Sequence, residues 1–164
     1  MARGVARPHT LGLSRGERTA FRQCGPASPG VRGVTVPRVA RLHDIVFDSR
    51  HPASIARFWA EALDGYRVAP YDEQELRRLA DNGIDDPEDD PTVLVEAGGG
   101  RPRFFFALVP EGKVAKNRVH LDLAADDPAA EVARLVELGA VAVHEYEGWV
   151  QMTDPEGNEF CVLR

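Results

Sequence analysis

His120 and Asp122 stand two residues apart in the stretch Asn117-Arg118-Val119-His120-Leu121-Asp122-Leu123. Read as a strand, it places Val119, Leu121 and Leu123 on one side and the imidazole and carboxylate together on the other. A histidine and a carboxylate on one surface can hydrogen-bond a ligand or move a proton near neutral pH; they can equally satisfy structural hydrogen bonds inside a closed interior. Asp44 and Asp48 share a face in the same way on an upstream strand, Asp44-Ile45-Val46-Phe47-Asp48. Cys161 lies on the closing strand, where no adjacent base activates it, so it reads first as a small buried hydrophobe. Three aromatic positions complete the candidate set. Trp59, and Phe105 within the run Phe104-Phe105-Phe106, suit either core or ligand contact, because a strand must turn one or two of those phenylalanines away from its helix side. Trp149 follows Gly148 at a strand start, where an aromatic can line the mouth of a site.

The elements that must position these groups come in two similar sets. A strand over 41–48 leads through Pro52 into a helical run carrying Ile55, Phe58, Trp59, Ala62 and Leu63, which Gly65 stops. An extended segment over 66–71, a short helix over 72–82 with Leu76 and Leu79 inward, and a hairpin over 92–109 around Gly98-Gly99-Gly100 follow. The acidic segment 85–90 reads as a solvated loop, since it lacks the ligand alternation and glycine of an EF-hand. After a linker over 111–117, the strand of His120 runs through Asp127-Pro128 into a helix with Val132, Leu135, Val136 and Leu138 on one face, ended by Gly139. Strands over 141–146, 149–153 and 159–163 close the chain, with Asp154-Pro155-Glu156-Gly157-Asn158 as a turn. There Pro fixes φ, Gly supplies positive φ, and the Asp and Asn side chains cap backbone groups. Each half is therefore β-α-β-β-β, with an extra helix in the first. The offset of 76 residues that aligns Asp44 with His120 also aligns His51-Pro52 with Asp127-Pro128.

Composition excludes some classes of partner. Residues 1–40 hold seven arginines and one acid, a charge of +6, which against a net −6 for the chain leaves −12 on the remainder. Such an acidic body repels nucleic-acid backbones. No apolar stretch approaches the roughly 18–20 residues needed to span a bilayer. Two distant cysteines, Cys24 and Cys161, indicate no disulfide framework, and a cytoplasmic setting follows as the expectation. The segment 1–40 has no sustained period and reads as a disordered Arg-rich extension, a basic arm or transit-like leader, or the product of a start assigned too early with Val34, Val36 or Val39 as alternatives.

The repeat, the Phe58-Trp59 pair on the first helix, the stretch Lys116-Asn117-Arg118-Val119-His120-Leu121-Asp122-Leu123 and the terminal Asp154-Pro155-Glu156-Gly157-Asn158-Glu159-Phe160-Cys161-Val162-Leu163 resemble the vicinal oxygen chelate superfamily, in particular its actinobacterial glyoxalase-like group. The resemblance covers residues 41–164 and implies an α+β fold of two paired modules, about 41–111 and 117–164, with mixed sheets curled into a cup. It also implies a homodimer, a small-molecule ligand, and a metal held by residues from both modules. The four positions carried over are His120, Asp44, Cys161 in place of a glutamate, and a residue on 103–109, where no acid occurs. Only His120 is the expected ligand type. The resemblance thus leads to a small-molecule-binding protein whose cup is lined by Asp44, Asp48, His120, Asp122, Cys161, Trp59, Phe105 and Trp149, with no cofactor. Against it stands a metal-dependent lyase, isomerase or dioxygenase, in which Asp44, His120 and Cys161 hold zinc.

Overall fold

The structure, a computed structural model, describes residues 42–164, so the expectations for residues 1–40 lie outside the described residues. In chain order the elements are β1 (Asp44–Ser49), α1 (Pro52–Ala62), β2 (Tyr66–Val68), α2 (Glu73–Asp81), a 3-10 turn (Pro87–Asp89), β3 (Thr92–Ala97), β4 (Arg103–Leu108), β5 (Leu121–Ala124), α3 (Pro128–Glu137), β6 (Val141–Glu145), β7 (Trp149–Thr153) and β8 (Glu159–Leu163). They form two four-stranded mixed sheets, ordered β1-β4-β3-β2 and β5-β8-β7-β6. In each, the first strand of the module runs parallel to the last, and the other pairs are antiparallel. Identical strand order makes the β-α-β-β-β duplication visible, and the fold is α+β as expected.

Strand alternation divides each sheet into two faces. The inner faces supply Val93, Val95, Phe104 and Phe106 from the first sheet, and Val150, Met152, Phe160 and Val162 from the second. Ile55, Phe58, Trp59 and Ala62 of α1 join both sets in a single core. Trp59 is 1 % exposed and packs its indole 5.8 Å from the ring of Phe47 and 5.3 Å from that of Phe160. Burial of each such large side chain contributes about 1.5–3 kcal/mol, so α1 is the element that binds the two modules to each other.

The turn at residues 154–158 fixes where α1 sits. Asp154, buried with Trp59, accepts the indole N–H at 3.1 Å, the backbone N–H groups of Glu156 and Asn158 at 3.0 and 2.8 Å, and the Asn158 amide. Burial pushes its carboxyl up, and the hydrogen bonds from Asn158, Trp59 and Glu156 offset part of that rise. Two residues on, the Glu156 carboxylate accepts the hydroxyl of buried Ser49 at 2.9 Å and the backbone N–H groups of Arg50 and His51, the latter at 2.8 Å. The first turn of α1 has no acid and its cap residue His51 makes no side-chain cap bond. Glu156 therefore provides, from the far end of the chain, the negative charge that the helix N-terminus favours. By contrast α2 and α3 are capped locally, Asp72 accepting from Glu75 N–H and Asp127 from Ala130 N–H.

Four expectations are corrected. The strand of His120 begins only at Leu121, and Val119 is exposed. Asn117 is drawn to Glu159 through its backbone N–H at 3.1 Å and to Asn158 through its side chain at 3.0 Å, which delays pairing with β8. Leu76 and Val136 face solvent, because only Leu79 and Leu135 reach the core of α2 and α3 fully. The extended segment after Gly65 is a strand over Tyr66–Val68, with one further bond from the Ala69 N–H to the Leu94 carbonyl at 2.8 Å. Finally, the acidic loop is not wholly solvated: Asp90 is buried, receives both its Arg78 contacts at 3.0 Å and lies 3.2 Å from the Tyr71 hydroxyl. Among the described residues no helix is long and apolar enough to cross a membrane, and every buried side-chain nitrogen or oxygen has a partner.

Two outcomes test these locks. Replacing Asp154 by Ala strands the buried indole N–H and the turn amides and lowers unfolding free energy in urea by about 3 kcal/mol, whereas an effect under about 0.5 kcal/mol contradicts the clamp. Glu159 supplies a pH signature. Burial raises its carboxyl, but the Lys113 ammonium at 2.8 Å and the Asn117 N–H outweigh that and hold it at about 2. A depressed acid stabilises the fold above its unfolded value of 4.5 and loses that contribution as pH falls toward 2. The stability of Glu159→Gln consequently falls less steeply with acid across that window than that of the parent protein, as read by denaturant midpoints at each pH.

Candidate functional site

The outer face of the second sheet is assembled by the same alternation that builds the core. With Phe160 and Val162 of β8 turned inward, Glu159, Cys161 and Leu163 point outward; with Val150 and Met152 of β7 inward, Trp149, Gln151 and Thr153 point outward. Register then sets them in rows. Asp122 pairs with Cys161, Cys161 with Gln151, and Gln151 with His144 across a bulge in β6, while Leu163 pairs with Trp149 in the neighbouring row. A polar row lies beside an apolar one. The members of these rows other than His144, together with Glu159, His120, Lys116 and Tyr146, line a hollow of about 340 Å³.

The polar floor is a connected group. His120 Nε2 lies 3.2 Å from Asp122 Oδ1, and the Cys161 thiol hydrogen-bonds to the same carboxylate. Burial, then the charge and hydrogen bond of Asp122, push the thiol up, with Lys116 acting weakly the other way. Cys161 is thus a protonated, buried donor to Asp122, in keeping with its expected hydrophobe-like character, and a poor nucleophile. The apolar wall is aromatic. Tyr146 and Trp149 stack at 4.7 Å with 26° between their planes, and the His144 ring meets Tyr146 edge-on at 4.4 Å. Trp149 is 41 % and Tyr146 40 % exposed, so both rings keep open surface toward the hollow.

The structure separates the remaining candidates from this group. Trp59 belongs to the core, where Asp154 takes its only donor, and so is corrected from a lining residue to a structural one. Asp44 is held by Arg103 in a fork–fork pair, Nε–Oδ1 2.8 Å and Nη2–Oδ2 3.0 Å, and its carboxyl is held below the usual range first by the Arg103 hydrogen bond. The same guanidinium lies 5.3 Å from the Phe105 ring centre and covers it. His43, which stands just outside β1, where alternation no longer governs it, also reaches Asp44 Oδ1 at 2.8 Å. Asp48 lines a different groove of about 610 Å³, beside Arg50, His51, Glu111, Lys113 and Glu156. The Glu156 carboxylate in that groove is already committed to the start of α1. The second module's hollow is therefore the better candidate site.

A metal shared by both modules does not fit these residues. At the first-module positions the guanidinium of Arg103 already neutralises Asp44, and the outer face of β4 otherwise presents Phe105 and Ala107, neither a ligand type. Within the second module, ligand atoms of His120, Asp122 and Cys161 all lie within 4.8 Å of one another. Nitrogen, oxygen and sulfur donors of this kind suit zinc. The sequence places His120, Asp122, Cys161 and Trp149 on this surface, reads Lys116 first as a surface-pairing residue, and does not mark Tyr146, Gln151, Glu159 or Leu163. Alternation counted from Trp149 and Cys161 points to Gln151 and Leu163; Tyr146 and Lys116 come from connections, where no period marks them.

Comparison with known proteins identifies the fold. The family description of the glyoxalase-like domain matches residues 44–163. No protein among those with curated functions matches the chain. Among solved structures, the fosfomycin resistance protein FosX from Mesorhizobium loti is similar with a TM-score of 0.55 at 14 % identity, over 77 % of this chain and 92 % of that one. The trypanothione-dependent glyoxalase I of Leishmania major gives 0.51 at 16 %, over 77 % and 87 %. A glyoxalase/bleomycin resistance protein/dioxygenase family enzyme from Burkholderia phytofirmans gives 0.50 at 16 %, over 75 % and 97 %. At such identities the likeness is one of fold alone. With the family match spanning most of the chain and both modules, the protein belongs to the glyoxalase-like domain family of the vicinal oxygen chelate superfamily.

Proposed function

We propose that this chain binds a small organic molecule in the hollow of its second module without the metal centre that the superfamily builds between modules. The observation that carries this reading is the asymmetry of the two outer sheet faces. In the first module the Asp44–Arg103 pair satisfies its own charges and shields Phe105. In the second, a polar floor and an open aromatic wall converge on a space of about 340 Å³, the size and mixed lining expected of a ligand pocket. We adopt for it a homodimer on the resemblance alone and a cytoplasmic setting on the two distant cysteines.

A second reading is favoured by the proximity of His120, Asp122 and Cys161: zinc held by these three, with a position open for substrate, would supply Lewis-acid chemistry of the lyase, isomerase or dioxygenase kind. In that reading the chain's own part is to orient three donors with neighbouring β5 and β8 and to exclude water with the Tyr146–Trp149 wall.

Calorimetric titration of ligands found by a fragment screen, run beside zinc quantification on untagged, dialysed protein, separates the two. The binding reading expects substoichiometric zinc and ligand affinities that fall about tenfold or more, roughly 1.4 kcal/mol, in Trp149→Ala and Asp122→Ala but stay unchanged in Val46→Ala on the first sheet. Stoichiometric zinc that is lost in Cys161→Ser overturns it in favour of the metal reading, and ligands indifferent to both second-module variants contradict the assigned hollow.

A further inference from the structure

Resting on that binding site, we infer that its ligand class is the planar aromatic cation, or a flat heteroaromatic carrying an amine. The juxtaposition is of two kinds of surface. Tyr146 and Trp149 lie nearly parallel, 26° apart and stacked at 4.7 Å at the end of the β6–β7 hairpin, so each covers one face of the other and leaves part of its remaining surface open. Their backbones are tied by the Tyr146 N–H to Trp149 carbonyl bond at 2.8 Å, so the platform is set before a ligand arrives. Large aromatic surfaces left open in this way gain from stacking with a flat ring, and their electron-rich faces prefer positive charge.

The charges around the platform point in the same direction. Two carboxylates line the hollow. Glu159 is neutralised by Lys113 at 2.8 Å and by the Asn117 N–H. Among the described residues Asp122 has side-chain contacts with the imidazole of His120 and the thiol of Cys161, and its side chain is half exposed. A carboxylate offers about four lone-pair positions, so Asp122 keeps capacity to accept from an ammonium or a ring N–H. Lys116 also lines the hollow and opposes this, but it is an exposed residue of the linker, where solvent screens its charge, while Asp122 is fixed by its pairing with β8. At longer range the −12 on residues 41–164 favours the approach of cations over anions. An anionic ligand, by contrast, finds the carboxylate at the floor and the acidic body around it.

The test is a fluorescence titration of the full-length protein with N-methylquinolinium, naphthalene-2-sulfonate and cyclohexyltrimethylammonium, which vary charge and planarity separately. Trp149 serves as the reporter, since Trp59 is buried. The inference expects N-methylquinolinium to bind at least about tenfold more tightly than either of the others. Asp122→Asn should abolish the preference for the cation over the sulfonate while the flat ring still binds. Trp149→Phe should retain most of the binding and Trp149→Leu should lose it, both read by calorimetry. Equal or tighter binding of the sulfonate, or a charge preference that survives Asp122→Asn, overturns the inference. If all three probes fail while other screened compounds bind the hollow, the ligand class is wrong and the binding site stands; if no compound binds there, both fall.

Discussion

The buried hydrogen bond from the Trp59 indole to Asp154 is the constraint on which the molecule depends. It joins a residue of the first helix to a turn near the last strand, and the carboxylate that accepts it also organises that turn through Glu156 N–H and Asn158 N–H. A carboxylate removed from water is costly unless its acceptor positions are filled, and here indole, amide and backbone donors fill them. Once the turn is set, Glu156 is aimed at the start of α1 and β8 is held in register. The cross-strand rows of Asp122, Cys161 and Gln151 follow from that register.

Duplication gave the chain two equivalent sheets, and the physical chemistry of their outer faces has diverged. In the first, Arg103 stands directly across from Asp44 in the parallel pair β1–β4, so a fixed positive charge occupies the surroundings of that carboxylate. In the second, the residue across from Asp122 is Cys161, a weak donor that leaves the carboxylate available. Because the repeat aligns Asp44 with His120 and Val46 with Asp122, both the position of the carboxylate and its cross-strand neighbour differ between the two faces, and that difference decides which face can receive a ligand.

Much of the fold was legible because it rests on local signals: Pro52 and Pro128 at helix starts, Asp127 as a cap, period-two alternation in β4, β7 and β8, and the punctuating glycines. Helix α1 illustrates the limit, since its anion comes from Glu156, more than a hundred residues away, and nothing near His51 announces it. The candidate site was half legible. Types and alternation place His120, Asp122, Cys161 and Trp149 on one surface, but the pairing of Asp44 with Arg103 depends on which strand lies beside β1, and the burial of Trp59 depends on a partner in the other module. Tyr146 joins the wall because the bulge and the short β6–β7 connection turn it back over Trp149, a geometry that leaves no period in the sequence.

The claim that function resides on the second sheet face alone is tested most directly by a crystal structure of the protein with a bound small molecule. The account predicts ligand density against Trp149 and Tyr146 and within hydrogen-bond distance of Asp122 or His120, with the Asp44–Arg103 pair intact. Density seated between the modules against Asp44 and Phe105, with Arg103 displaced from the carboxylate, would contradict it.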